Sequence, residues 1–340
     1  MRTPVFLVIC LVVGAAVFGL SIVVGNDYVF FAGYVILQYV VLSTAWNILG
    51  GYCGYVNFGT AAFFALGAYS TVAIYKFTTG DDAILEIGVP IPVLMLASGV
   101  VSGIVGLGMG YLTLRLRGAF FSIATLALAV VLETLVVNWD YVGGSRGAYV
   151  IRPENMPLIG SYVRYLFLLM MLLAIGSIVI ARIIERSKLG YGFATIRDDE
   201  LAAEASGVPT LRVKLIATTI SGALMGMAGA PFPYYIGYLQ PDSTFALDYA
   251  VNSIAMPLIG GTTSWVGPLI GSILLGTLQQ VATVTISSAV NLLIVGLLLV
   301  GFVIIAPNGI IGLFHTYLQR REEDFVGRRR VDADAPGTVP

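Results

Sequence analysis

Apolar stretches close to twenty residues long recur along almost the whole of this chain, and they restrict the folds open to it. A helix needs about 20 such residues to cross about 30 Å of hydrocarbon. The stretches lie at 5–24, 28–49, 57–75, 89–112, 119–138, 163–182, 213–235, 245–260, 267–286 and 288–306. They predict an all-α polytopic transmembrane helical bundle of about ten spans. The eighth stretch is short and only Ser287 and Ser288 divide the last two, so nine spans is the alternative.

The basic residues predict how the bundle is oriented, because loops that stay in the cytosol retain most Lys and Arg. With ten spans and the amino terminus inside, the four basic residues of the outer loops are Lys76, Arg146, Arg152 and Arg164. The other fourteen then lie in cytosolic segments. Both termini are therefore predicted to be cytosolic. We expect a transmembrane domain over 1–315 with a cytosolic loop at 183–212, followed by a flexible cytosolic tail over 316–340, which is charged and then rich in Pro and Gly.

The segment IRDDELAAEASG (196–207) is charged, although the chain around it is apolar. Thr195 is a candidate N-cap, and Asp198, Asp199 and Glu200 suit the positive end of a helix dipole. Gly207 is expected to end the helix, and Pro209 to prevent its continuation. A helix of about ten residues is marginal alone in water, so this one is predicted to dock onto something else.

The sequence lacks the motifs of a nucleotide site, a zinc protease site and a histidine-dependent catalytic triad. No GxxxxGK[ST] phosphate loop and no HExxH motif occurs, and the single histidine is His315. Cys10 and Cys53 stand apart from any cluster of metal ligands. The net charge of −1 favours no nucleic-acid partner. We therefore expect neither an enzyme nor a resident metal or cofactor, and any ATP used must be bound by another chain.

A few polar residues fall inside the apolar stretches, where such groups tend to face the bundle interior or an aqueous path. Asn47, Asn57, Glu133 and Asn252 are the candidates for a solute path. Glu133 lies only about five residues, or about 8 Å, from the outer end of its span. Two interpretations of its carboxylate stay open. It is either a structural group that snorkels to the surface or pairs with another group, or a group that lines the solute path.

Two further patterns concern packing. Glycines recur at short spacings at Gly99, Gly103, Gly106, Gly108 and Gly110, and again at Gly222, Gly226 and Gly229. They favour close helix packing, although sliding helices would use the same residues. ILGGYCGYV (48–56) and LIGGTTSWV (258–266) resemble each other, and a duplicated half is one explanation.

Five blocks in order resemble one family of transporters. They are AWNILGGYCGYVNFGTAAFFALGAY (45–69), LRLRGAFFSIATLALAVVLETLV (114–136), SKLGYGFATIRDDELAAEASGV (187–208), GALMGMAGAPFPYYIGYLQPDSTF (222–245) and IGGTTSWVGPLIGS (259–272). The chain is similar to bacterial branched-chain amino-acid ABC transporter permeases of the LivM/LivH type, and closer to LivM. The resemblance runs from about residue 36 to residue 312.

The resemblance implies an importer's translocation subunit in the cell (inner) membrane. The segment 196–207 resembles the coupling helix that sits in a cleft of an ATPase, where importers share a loose EAA-x-x-x-G pattern. Here Leu201 stands in place of the glutamate and Glu200 precedes it, so the role of Glu200 is left open. The residues expected to couple to the ATPase are Arg197, Asp198, Asp199, Glu200, Ala202, Ala203, Glu204 and Gly207.

The same resemblance implies a second homologous permease chain, two ABC ATPase subunits and an extracytoplasmic solute-binding protein as partners. Branched-chain amino acids are the implied solutes, and urea or short amides are the alternative. A stand-alone channel or secondary transporter is the competing class. Such a protein is expected to place ion-coupling carboxylates deep in its spans, where this chain offers only Glu133.

Overall fold

The structure is a computed structural model that describes residues 3–78, 88–151 and 161–285, with positions 293, 296–297, 300–301 and 309–312. These residues form α-helices, two short 3₁₀ helices and one pair of very short strands. In chain order the helices are α1 (Thr3–Val24), α2 (Asp27–Gly50), α3 (Thr60–Thr78), α4 (Ile91–Thr113), α5 (Ala119–Val137), α6 (Tyr162–Glu185), α7 (Lys188–Asp198), α8 (Glu200–Ala205), α9 (Thr210–Gly229), α10 (Phe232–Ile236), α11 (Pro241–Thr244), α12 (Leu247–Gly260) and α13 (Val266–Thr285).

Seven of the described helical segments are long and apolar enough to cross a membrane. They are α1, α2, α4, α5, α6, α13 and the segment Thr210–Ile236, which joins α9 to α10. The predicted third and eighth spans form α3 and the shorter α12, which has 14 residues. The predicted tenth span, 288–306, lies outside the described residues apart from isolated positions. The chain is a multi-pass membrane helical bundle, and the count of ten spans stays a prediction.

Helix α2 lies at the centre of the bundle and packs against α6, α9, α12 and α13. Polar side chains reinforce this packing, as when Ser43 and Ser272 hydrogen-bond across 2.6 Å. In contrast, α1 and α5 are peripheral. Of the most apolar 18 residues of each, 11% and 17% are buried within the protein, compared with 67% for the α9–α10 segment. The peripheral helices are therefore held by the fewest internal contacts.

Close packing is confirmed as the role of most of the clustered glycines. A Cβ on Gly103 would lie 3.3 Å from the Ala223 side chain on α9, and one on Gly106 would lie 3.2 Å from the Thr218 carbonyl. A Cβ on Gly226 would overlap the Ser102 hydroxyl of α4. Gly108 differs, because nothing lies within 4 Å of its Cβ position. Small residues thus let α4 and α9 approach closely, as expected in membranes.

The segment between the predicted spans 119–138 and 163–182 contains two 3₁₀ helices, Asp140–Val142 and Gly144–Arg146, and the strand β1 (Ala148–Tyr149). This strand pairs antiparallel with β2 (Tyr238–Leu239). Residues 139–151 thus form an ordered turn region, whereas 152–160 lies outside the described residues. The sheet ties the segment after α5 to the segment after α10.

The single helix predicted over 196–207 is wrong in its boundaries. The chain forms α7 and α8 with a break at Asp199, whose φ of −159° is extended. Thr195 is not an N-cap, since it lies inside α7 and its hydroxyl bonds to the Gly192 carbonyl. Ser187 caps α7 instead, by accepting from the Gly190 N–H. The predicted end is confirmed at Gly207, which has a φ of +84° that favours glycine.

Candidate functional site

Helix α8 begins at a side-chain cap that the sequence carries locally. The Asp199 carboxylate accepts hydrogen bonds from the Leu201 and Ala202 N–H groups at 2.9 and 3.0 Å. This satisfies two amides of the first turn and places an acidic group at the positive end of the helix. At the other end the Val208 N–H bonds to the Ala203 carbonyl as the chain turns at Gly207. A helix of only six residues is thereby closed at both ends.

Glu200, the first residue of α8, anchors this helix to the bundle. Its Oε1 atom lies 2.7 Å from Nζ of Lys214 on α9, and its Oε2 accepts a hydrogen bond from the Tyr55 hydroxyl. Nζ of Lys214 also donates to the Tyr55 hydroxyl and to the Leu114 carbonyl, both at 3.1 Å. All three protons of the ammonium group are therefore used. We call Tyr55, Glu200 and Lys214 the anchor network.

The anchor network is buried, which makes its charges interdependent. The side chains of Lys214 and Glu200 are 3% and 13% exposed. Desolvation by itself raises the pKa of Glu200, but hydrogen bonds from Lys214 and Tyr55, with the charges of Lys214 and Arg117, bring that pKa below its usual value. Burial and the neighbouring Glu200 raise the pKa of Tyr55. Glu200 is therefore a carboxylate and Tyr55 a neutral donor at neutral pH.

More exposed pairs surround the network. Arg117, which precedes α5, lies 3.4 Å from Glu204 and 3.8 Å from Glu200, with half of its own side chain exposed. The Thr210 hydroxyl donates to Glu204 at 2.9 Å. Arg197 pairs with Asp198 at 3.4 Å, and both side chains reach solvent. Such exposed ion pairs contribute only about 0–1 kcal/mol each.

The eight residues predicted to couple to an ATPase therefore divide by position. Asp199 caps α8, Glu200 anchors it, and Ala203 is buried at 3% exposure, so these three side chains face the bundle or the helix end. The other five lie at the exposed surface of α7, α8 and the turn after it, namely Arg197, Asp198, Ala202, Glu204 and Gly207. Leu201, at the position of the family's glutamate, has 63% of its surface exposed.

Sequence reasoning missed the partners of Glu200. The charge pattern places Lys214 only among the fourteen basic residues of the cytosolic segments, and it assigns Tyr55 no role. One signal was present: a lysine within the first turns of an apolar helix needs a partner, because an unpaired buried charge is costly. The charge partner Glu200 lies only 14 positions before Lys214, whereas Tyr55, which completes the network, is 159 positions away and could not be found from sequence.

A second carboxylate holds the loops at the same end of the bundle. Glu185, the last residue of α6, accepts from the Trp265 N–H at 2.9 Å and from the Tyr52 hydroxyl at 3.3 Å. Tyr52 and Trp265 belong to the two similar segments, 48–56 and 258–266. A Cβ on Gly51 would lie 2.6 Å from the Thr262 carbonyl, so the two Gly-Gly turns are in contact.

Among the described residues no hydrogen bond joins any two of the four candidate path residues, and their role in a solute path stays a prediction. Asn57 accepts from the Gly59 N–H at 2.8 Å and so shapes its own loop. Asn252 accepts from Gln279 at 2.7 Å and links α12 to α13. Asn47 is buried, and within the described part of the chain its amide makes no hydrogen bond of standard geometry. Glu133 lies partly exposed on α5.

No metal site is formed by the described residues, because no three His, Cys, Asp or Glu side chains converge. In the anchor network the lysine and the carboxylate satisfy each other. Its chemistry suits holding a helix in place rather than binding a ligand.

Comparison with known proteins identifies the family. The family model described as the branched-chain amino acid transport system permease component matches residues 28–303. The chain is 27% identical over 317 residues to the high-affinity branched-chain amino acid transport system permease protein LivM of Salmonella typhimurium, covering 86% of this chain and 72% of that relative. No solved structure gives a significant match.

Two other relatives widen the comparison. The chain is 22% identical to the permease protein LivH of Escherichia coli K12, over 81% of this chain and 91% of that relative. It is 25% identical to the autoinducer 2 import system permease protein LsrC of an Enterobacter species, over 69% of this chain and 68% of that relative. Because the family model covers most of the chain, from α2 onward, this protein belongs to the branched-chain amino acid transport system permease family.

Proposed function

We propose that this chain is the membrane-spanning permease subunit of an ABC importer, which moves branched-chain amino acids with energy from ATP hydrolysed by separate subunits. Family membership supports the transport role. The absence of a phosphate-binding loop from the sequence agrees with ATP being bound elsewhere. In this proposal the chain itself holds no cofactor and catalyses no reaction.

The observation that carries the proposal is that α8 is fixed to the bundle on one side and exposed on the other. Its inner edge is held by the anchor network, and its outer surface presents Leu201 and Ala202. An exposed leucine next to small residues is a suitable contact for a partner protein, because removing its apolar surface from water on association is favourable. A force applied to α8 by an ATPase would reach α9 directly through the bond between Glu200 and Lys214.

The remaining partners follow from the same role. Relatives include both LivM and LivH permeases, which supports a pair of different but homologous permease chains. An extracytoplasmic solute-binding protein would deliver the solute at the end of the bundle opposite α8. On this arrangement the termini and α7–α8 are cytosolic.

The solute is proposed to be a branched-chain amino acid, in line with the names of the LivM and LivH relatives. The relative named for autoinducer 2 import carries a different solute name on a similar permease, so urea and short amides belong in any test. Among the candidate path residues, Asn57 and Asn252 have structural bonds. Asn47 and Glu133 are therefore the stronger candidates to line the path.

Reconstitution tests the proposal. The permease, its partner chain and the ATPase pair would be placed in liposomes with the binding protein outside, and uptake of leucine, isoleucine, valine and urea measured with and without ATP. We expect uptake of the three amino acids that requires ATP. Movement down a gradient by the permease alone would show a channel or secondary transporter, and uptake of urea alone would replace the proposed solute.

A further inference from the structure

The loop between α2 and α3, residues 51–59, contacts the candidate coupling segment at two points. Tyr55 donates to Glu200 at the start of α8. Gly54, with a φ of +80°, lies under Arg197 of α7, and a Cβ at Gly54 would be 3.0 Å from Cγ of that arginine. One loop therefore touches the helix on each side of the break at Asp199.

The other side of this loop is bonded to α5. The Ser122 hydroxyl donates to the Val56 carbonyl at 2.8 Å, and the Phe58 N–H donates to the Thr125 hydroxyl at 3.1 Å. The Tyr55 ring also packs edge-on against Phe121, with 5.0 Å between ring centroids. The first two turns of α5 are thus joined to the loop by both backbone groups and a side chain.

Hydrogen bonds within the loop and to the end of α2 hold it in one conformation, so that a movement at one end of the loop displaces the other end. The Trp46 indole donates to the Asn57 carbonyl at 2.9 Å. The Asn57 side chain accepts from the Gly59 N–H, and the Tyr55 N–H bonds to the Leu49 carbonyl at 3.1 Å. Side-chain bonds to nearby backbone of this kind hold a turn in one conformation.

Helix α5 is better placed to move than the spans adjoining α7 and α8. Of the most apolar 18 residues of each span, 61% are buried within the protein in α6 and 67% in the α9–α10 segment, whereas only 17% are buried in α5. Closely packed helices resist displacement, since interiors have little free volume. Helix α5 also carries Glu133, which the proposed function places on the path.

We propose that the 51–59 loop transmits movement of α8 to α5, with Tyr55, Ser122 and Thr125 as the positioning residues that make this link. This link rests on the proposed function, and it makes α5 the span through which the ATPase alters the solute path. The alternative connection, from Glu204 through Arg117, is an ion pair with both side chains exposed and is therefore weak.

Ser122 and Thr125 allow a test that leaves the anchor network intact. Ser122→Ala and Thr125→Val each remove one bond between the loop and α5. Thr134→Val is the matched control, because the Thr134 hydroxyl bonds only within α5, to the Val130 carbonyl at 2.8 Å. Each complex would be reconstituted with its ATPase and binding protein, and leucine imported per ATP hydrolysed would be measured.

We expect the two loop variants to lower the leucine-to-ATP ratio by about fivefold, the effect of one hydrogen bond, and Thr134→Val to leave it unchanged. Thr125→Ser should restore the ratio, because it keeps the hydroxyl. Unchanged ratios in both loop variants, within a wild-type complex that imports leucine, would overturn the inference alone. A wild-type complex without ATP-dependent uptake would instead refute the proposed function.

Hydrogen exchange provides a readout that a general loss of stability would not reproduce. In the wild-type complex, ATP binding should change the protection of 199–206 and of 119–126 together. In Ser122→Ala, at a half-buried position, the change at 199–206 should persist and that at 119–126 should be lost. Equal changes at both segments in this variant would show that α5 receives the movement by another route.

Discussion

Replacing Lys214 by methionine is the sharpest test of the anchor network. The change leaves the Glu200 carboxylate without its cation in a site where its side chain is 13% exposed. Removing one partner of a buried ion pair costs about 3–5 kcal/mol, and Glu200 can turn partly toward Arg117, so we expect about 2–3 kcal/mol. This should make local opening of α8 about 30- to 150-fold more frequent.

Hydrogen exchange of residues 199–214 in nanodiscs measures this opening directly. A second variant, Glu200→Gln with Lys214→Met, removes both charges while the glutamine still accepts from Tyr55, and should recover most of the lost protection. Lys188→Met is the control, since Lys188 is exposed and makes no ion pair with the described residues. The role of the anchor network would be refuted if Lys214→Met showed the same protection of residues 199–214 as the wild type. It would also be refuted if the double variant were as poorly protected as Lys214→Met alone.

The pH dependence of the same opening follows from the pKa of Glu200, which lies below its usual value of 4.5. A lowered pKa means that the stabilisation is present above about pH 4.5 and is lost as the pH falls through the lower folded value. Opening of 199–214, corrected for intrinsic exchange, should therefore be constant from pH 8 to 5.5 and rise only in stronger acid. An increase near pH 6.5 would contradict the assignment of Glu200 as the titrating group.

Three further changes address the docking surface, the packing and the path. Leu201→Arg should weaken capture of the ATPase by about tenfold in a pull-down while the permease stays monodisperse. Ala203→Arg, at a buried position, should instead lower the yield of folded permease. Equal behaviour of the two variants would contradict the orientation of α8. Gly67→Ala should lower the thermal midpoint, because its Cβ would overlap a carbonyl of α9 and such overpacking costs about 1–3 kcal/mol, while Gly108→Ala, with open space, should not. Glu133→Gln should change leucine uptake by about two- to tenfold if this carboxylate lines the path, and unchanged kinetics would leave it a structural group.

Much of the fold could be predicted because the decisive signal is local. A run of about twenty apolar residues must span the bilayer as a helix, since no water is present to satisfy exposed backbone groups. The starts and ends of α1, α2, α4 and α5 lie within a few residues of the predicted stretches. The end of α8 was also readable, because only glycine adopts the required φ readily.

The break at Asp199 shows where local signals become ambiguous. Asp198, Asp199 and Glu200 are consecutive acids that all suit a helix start, and Thr195 and Ser187 are both plausible caps. The structure selects Ser187 and Asp199. Between them α7 buries Phe193 and Ile196, and after the break Glu200 reaches Lys214. Tertiary contacts therefore favoured Ser187 and Asp199 over Thr195, the predicted cap.

By itself the sequence determined that this chain is a multi-pass helical membrane protein of the branched-chain amino acid permease family, with a polar helical segment and no nucleotide-binding motif. Only the tertiary structure decided which polar groups meet: Lys214 with Glu200, Tyr55 with both, and the 51–59 loop with α5. The physical reason is range. Hydrophobic length, caps and glycine turns act over a few residues, whereas a buried charge is satisfied by whichever distant group the packing of helices brings within 3 Å.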